Sequence, residues 1–355
     1  MHFQNGHVPN AYSGYIRKKI FFICAVFLLL AGLVIISLCS GSVKIQALDL
    51  LKTLARMPVD LQAELIIWNI RLPQTLTAVV SGAGLACSGA VMQSVLKNPL
   101  ASPFTLGISH AAAFGAALSV MVLSSSHLPF ANHLQSLSTS AVTVLSAFFF
   151  SMLTAVLIIY ISRMRGAATH IMVLTGVALG SLFTAATMLL QFFADDVQLA
   201  AMVFWTFGDL GRAEWKELWM ICLTTGLLLL FFLAGSKSYN AMALGDETAK
   251  GLGVRVAQVR MAGMMAASLA TAVIISFVGI ISFVGLIAPH IVRRIIGDDH
   301  RFLLPATIFS GSLILLGADI LARLLLSPHV LPVSIFTSFL GAPVFIYLII
   351  KGNRP

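Results

Sequence analysis

Apolar runs of about 20 residues recur along this chain, separated by short polar connections that carry most of its charge. At ~1.5 Å per residue, such a run is what a helix needs to cross a ~30 Å hydrocarbon layer. The first run extends from Ile20 to Cys39, directly after Arg17, Lys18 and Lys19. Others lie at about 72–96, 104–123, 138–162, 171–193, 215–234, 261–279, 281–296, 303–324 and 331–350, giving ten predicted spans. Residues 261–296 form a largely apolar stretch of 36 positions, ~54 Å as one helix, so the chain must fold back there. Gly279 and Gly285 are the places where it can. The first run is long for a signal peptide and no small-x-small cleavage site follows it. Leu38 before Cys39 also spoils a lipoprotein site, so an uncleaved first span is expected.

Two connections are unusual. Between the fifth and sixth spans, Val197 to Phe207 is too short to cross and reads as a helix lying at the interface, anchored by Trp205 and Trp215. The second is SKSYNAMALGDETAKGLGVRVAQVR, from Ser236 to Arg260, far longer than a tight turn needs. Within it Asp246 can N-cap a short helix, with Lys250 as its i+4 partner. Gly251 and Gly253 break that helix and Val254 starts the next. The predicted product is a compact knuckle.

Composition fixes the class. Hydrophobic residues are 59% of the 355, charged residues 10%, and mean hydropathy is +0.97, which describes a polytopic all-α membrane protein. A membrane barrel would alternate apolar and polar positions, and these runs do not. The net charge of +9 comes from scattered connections with no patch for nucleic acid. With ten spans and a cytoplasmic N-terminus, 15 of the 22 basic residues fall on the cytoplasmic side, so the knuckle is expected there too. The chain then divides into a cytoplasmic segment 1–19, a transmembrane domain 20–350 with its cytoplasmic loop 237–260, and a cytoplasmic tail 351–355. The cysteines (24, 39, 87 and 222) show no paired spacing and read as small hydrophobes.

Candidate chemistry is sparse. The acid within a span is Asp319, near its outer end, with Arg323 four residues on; His110 and His290 sit in apolar runs and read as packing. There is no GxxxxGK[ST], no HExxH and no nucleophile–base pair. Neither a metal nor a cofactor is expected on this chain, so energy for uphill transport must come from another polypeptide, with the knuckle as its port. In the second span Gly82, Ala86 and Ala90 share a face, with Gly84 and Ser88 nearby, and Gly176 and Gly180 repeat the device. Such faces serve close helix packing or the lining of a path.

The blocks IRLPQTL, SGAVMQSVLKNPLASPFTLGIS, LTGVALG, MALGDETAKGLGV, FVGLIAPHIVRR, DHRFLLP, GADILARL and LGAPVFIYLI, in this order, resemble the FecCD-type permeases. These are the membrane subunits of type II ABC importers for ferric siderophores, haem and cobalamin, and the likeness runs from about residue 20 to 352. The resemblance implies the type II importer fold in a bacterial inner membrane. It implies a second permease copy, expected as a homodimer, two ATP-binding subunits that carry ATP and magnesium, and a periplasmic substrate-binding protein. By likeness the knuckle is the coupling element, with contact through Ala243, Leu244, Gly245, Asp246, Glu247, Ala249, Lys250, Leu252, Gly253 and Val254.

Arg71 and Arg323 match outward arginines that receive acidic residues of the binding protein. Snorkelling of Arg71 and a local Arg323–Asp319 pair are the alternatives. Many members carry a second arginine where this chain has Gln74. Asn98 and Leu100, with Thr169, match positions that pinch the cytoplasmic end of the path; simple interhelical turns are the other reading. NPLASPFTLG inclines the cargo towards a ferric siderophore, with haem or cobalamin as alternatives. An ion-coupled secondary transporter, the reading from another class, would call for mid-span acids.

Overall fold

One deeply buried helix forms the axis of the structure, a computed structural model that describes residues 10–41, 43, 45–124, 139–326 and 329–351. The helices are α1 (Asn10–Cys39), α2 (Ala47–Leu54), α3 (Leu61–Ile66), α4 (Leu72–Leu96), α5 (Ile108–Ser124), α6 (Thr139–Met164), α7 (Thr169–Phe193) and α8 (Asp196–Thr206). There follow α9 (Trp215–Ala234), α10 (Ser236–Ala243), α11 (Asp246–Gly251), α12 (Val256–Val278), α13 (Val284–Ile296), α14 (His300–Leu324) and α15 (Val333–Lys351). No strand occurs among the described residues. Residues 1–9 of the expected N-terminal segment and 352–355 of the expected tail lie outside them.

Each predicted apolar run is occupied by a helix. Seven of these are long and apolar enough to cross a membrane: α1, α3 with α4, α6, α7, α9, α12 and α14. Helices α5 and α15 are shorter apolar helices, and α13, at 13 residues, covers only ~20 Å. Pro73 sits inside the continuous helix from Leu61 to Leu96, where its ring would clash with the preceding turn. The π-turn Ile67–Arg71 widens the helix just ahead of it and relieves that clash.

The axis is α4. It is buried on nearly every side because its surface is built from Gly, Ala, Ser and Thr, which lets α14, α12, α13 and α9 close upon it. A Cβ on Gly89 would collide with the Gly285 carbonyl, and one on Gly82 would stand 2.5 Å from the Gly311 carbonyl oxygen. Helices α5, α6 and α7 pack as a second group, joined to the first through α12. In the apolar stretches of α1, α7 and α9 only 17–22% of the residues are buried, and large apolar side chains such as Phe21, Leu28, Leu182, Phe192 and Leu223 are exposed, as lipid contact requires.

The fold-back after α12 is made at Gly279, whose φ of +79° lies in the left-handed region. Gly285, expected to share that task, lies inside α13 and serves the contact with Gly89 instead. The reversal is largely buried, and polar groups at both its ends find partners. The Asp209 amide donates to the Val278 carbonyl at 2.8 Å, and Ser282 meets Ser338 at 2.7 Å. The predicted interfacial helix is present as α8, opened by a capping box between Asp195 and Gln198 and closed by Arg212, which donates to the carbonyls of Phe204, Trp205 and Phe207. Trp215 anchors α9, its indole N–H donating to the Trp68 carbonyl at 2.8 Å.

Candidate functional site

The knuckle has three parts. Helix α10 continues from α9 through Gly235, α11 follows after Gly245 (φ +116°), and Gly253 (φ +83°) turns the chain into α12. The polar stretch SKSYNAMA gave no periodic signal for α10. Asp246 is the first residue of α11 and not its N-cap; Gly245 holds that position. Lys250 pairs with Glu247 at 2.8 Å rather than with Asp246, and α12 begins at Val256.

Asp246 turns inward because two cations claim it. Lys97 reaches Oδ1 at 2.7 Å and Arg260 reaches Oδ2 at 2.8 Å. Burial pushes its carboxyl up, but the hydrogen bonds and charges of Arg260 and Lys97 outweigh this and hold it below the usual carboxylate range. Arg260, 5% exposed, is the hub. Its Nε donates to the Val95 carbonyl in the last turn of α4 (2.8 Å), and its Nη1 donates to the Ala167 carbonyl between α6 and α7 (3.1 Å). Sequence reasoning counted Arg260 only as an orienting charge. The available signal was an arginine heading an apolar run, a costly place for an unpaired cation.

A second polar cluster ties α10 to the same end of α4. Asn240 Oδ1 accepts from the His300 amide and from its Nδ1, both at 2.8 Å, and Asn240 Nδ2 donates to Asp299 at 2.9 Å. On the other side of the ring, His300 Nε2 meets Ser94 Oγ at 2.6 Å. Arg293 donates to Ser94 (3.0 Å) and to Gln93, and pairs with Asp298 at 3.0 Å. Hydrogen bonds from Arg301, then from Asn240, hold the Asp299 carboxyl well below the carboxylate range.

What the knuckle offers a partner is apolar flanked by charge. Leu244 is 67% and Leu252 64% exposed, with Glu247, Lys250, Ala243 and Gly253 exposed around them; Gly245 and Val254 are half-buried. Ala249, at 0% exposure, is packed inside and cannot serve as a contact, while Asp246 is part-exposed with its carboxylate held in the clamp. Of the expected gate residues, Asn98 caps its own turn, its Oδ1 accepting from the Leu100 amide at 2.9 Å, and Leu100 is 46% exposed. Thr169 opens α7, two residues beyond Ala167. Arg260 thus braces both turns: Val95 lies three residues before Asn98 on one side, and Ala167 precedes Thr169 on the other.

At the opposite end of α4 the two arginines are not exposed as docking requires. Arg71 is buried and donates to the carbonyls of Leu38 and Val43. Arg323 pairs with Asp319 at 2.9 Å and donates to Ser37 Oγ at 2.6 Å. Gln74 donates to Asp319 Oδ1 at 2.9 Å, so the side chain standing in for a second arginine completes a buried neutral cluster.

The model of the FecCD transport family matches residues 28–351. A provisionally assigned ABC transporter permease of Methanocaldococcus jannaschii is 46% identical over 97% of this chain and 98% of its own. The hemin transport permease of Yersinia pestis is 37% identical over 81% of this chain and 84% of its own. Other relatives are named for import of vitamin B12 and of iron(3+)-hydroxamate. Among solved structures, a provisionally assigned metal-chelate type ABC transporter in an inward-facing conformation superposes with a TM-score of 0.80 at 30% identity, covering 93% of this chain and 98% of that one.

Proposed function

The chain belongs to the FecCD transport family, and from that premise we propose that it is the membrane permease of an ATP-driven importer that carries a metal chelate, a ferric siderophore before haem or cobalamin. The observation that supports this most is the braced knuckle: an exposed Leu244–Leu252 surface, held from behind by Asp246 and by Arg260, which bonds to the end of α4, the most buried helix of the bundle. A chain without a phosphate loop of its own has use for such a surface as the seat of an ATPase. The knuckle faces the cytoplasm with both termini, two ATP-binding subunits sit beneath two permease copies, and a binding protein delivers cargo on the far side. Arg71 and Arg323 shape that far face from within, by fixing the loop after α1. The turns at Asn98, Leu100 and Thr169 close the inner end of the path. The siderophore preference rests on the NPLASPFTLG likeness, and the relatives' names span all three chelates.

Purification in detergent with the cognate ATPase tests this. Leu244→Asp and Leu252→Asp each place a carboxylate in an apolar contact, and each should cut ATPase recovery about tenfold or more, as loss of a central apolar anchor does. Undiminished recovery with both variants would overturn the assignment.

A further inference from the structure

Movement at the knuckle is useful only if something rigid passes it on, and side-chain chemistry identifies the joint. One guanidinium, at the head of α12, bonds α11 through Asp246, the end of α4 through Val95 and the α6–α7 turn through Ala167. Both backbone acceptors lie next to turns expected to pinch the path, and Lys97, in the left-handed conformation that ends α4, shares the same carboxylate. Arginine suits this place because its planar fork fixes three directions at once, which an ammonium cannot. The two backbone contacts are buried and the one to Asp246 is partly so, which limits how far water can absorb a shift of α11.

We propose that Arg260, with Asp246 as its anchor, is the positioning residue that converts displacement of the knuckle into displacement of the 97–100 and 166–169 turns. This rests on the reading of the knuckle as the ATPase seat.

The test uses the complete importer, permease with its ATPase and binding protein, in lipid nanodiscs. A Leu100→Cys reporter is labelled with a membrane-impermeant maleimide, without nucleotide and with ATP trapped by vanadate; the protein without the reporter supplies the blank. In the parent the labelling rate is expected to change about fivefold or more between the two states, the scale of an ordinary coupling energy. Arg260→Lys keeps the charge and loses the fork: the ATPase should still co-purify and hydrolyse ATP, while the labelling ratio falls towards one. Asp246→Asn, on the more exposed side of the clamp, should act in the same direction and covers the case in which Arg260→Lys does not fold. An unchanged ratio in a variant that retains its ATPase would overturn the proposal, since a merely structural Arg260 would lower yield and thermal midpoint only. No response to nucleotide in the parent, with ATPase bound, would overturn it together with the reading of the knuckle; loss of response in the variants alone supports it.

Discussion

Asp319 is 3% exposed inside a spanning helix, where a lone charge would cost ~2.5–3.5 kcal/mol on insertion scales. It is tolerated because Arg323 neutralises it one turn away and Gln74 supplies a hydrogen bond to the carboxylate. Asp319→Ala leaves Arg323 buried without its counter-charge, and should lower stability by about 3–5 kcal/mol, read as a fall in thermal midpoint in detergent. The double change Asp319→Leu with Arg323→Met should recover most of that loss; a double variant as unstable as the single one would refute this account. The pair was legible from its i,i+4 spacing, whereas its contact with Gln74, 245 positions away, was not. Nor was the burial of Arg71 and Arg323: a sequence places an arginine near a span end but does not reveal which loop carbonyls fold over it.

Among elements, α4 and α13 illustrate how close backbone approach is written in small residues. Gly89→Ala should force α13 away from α4, since a backbone carbonyl cannot swing aside as a side chain can, at a cost of about 1–3 kcal/mol. Gly226→Ala in α9, with nothing within 4 Å of the added methyl, is the control and should be neutral or stabilising. Equal thermal midpoints for the two variants would contradict the packing described. The small-residue pattern of α4 was readable in advance. The division of labour between Gly279 and Gly285 was not, because only backbone geometry distinguishes a turn glycine from a contact glycine. Helices α2, α3 and α10 were missed because they are short and lack the long apolar run by which the others were found.

For the whole molecule, the proposed topology, argued from the count of basic residues, has the knuckle inside the cell. In right-side-out spheroplasts an impermeant maleimide should therefore label Lys216→Cys and spare Leu244→Cys; the reverse pattern would invert the proposed topology. The bundle and its family were accessible from apolar periodicity and ordered motif blocks. The Asp246–Arg260 clamp was not, because it exists only where residues 95, 97, 167, 246 and 260 converge in space. Helix α13 carries a last consequence. At ~20 Å it cannot match a bilayer, and the backbone that completes the crossing is walled off by its neighbours. Hydrophobic mismatch therefore falls on the outer helices α1, α7 and α9, which can tilt to meet a thicker or thinner membrane, while the central machinery keeps its own dimensions.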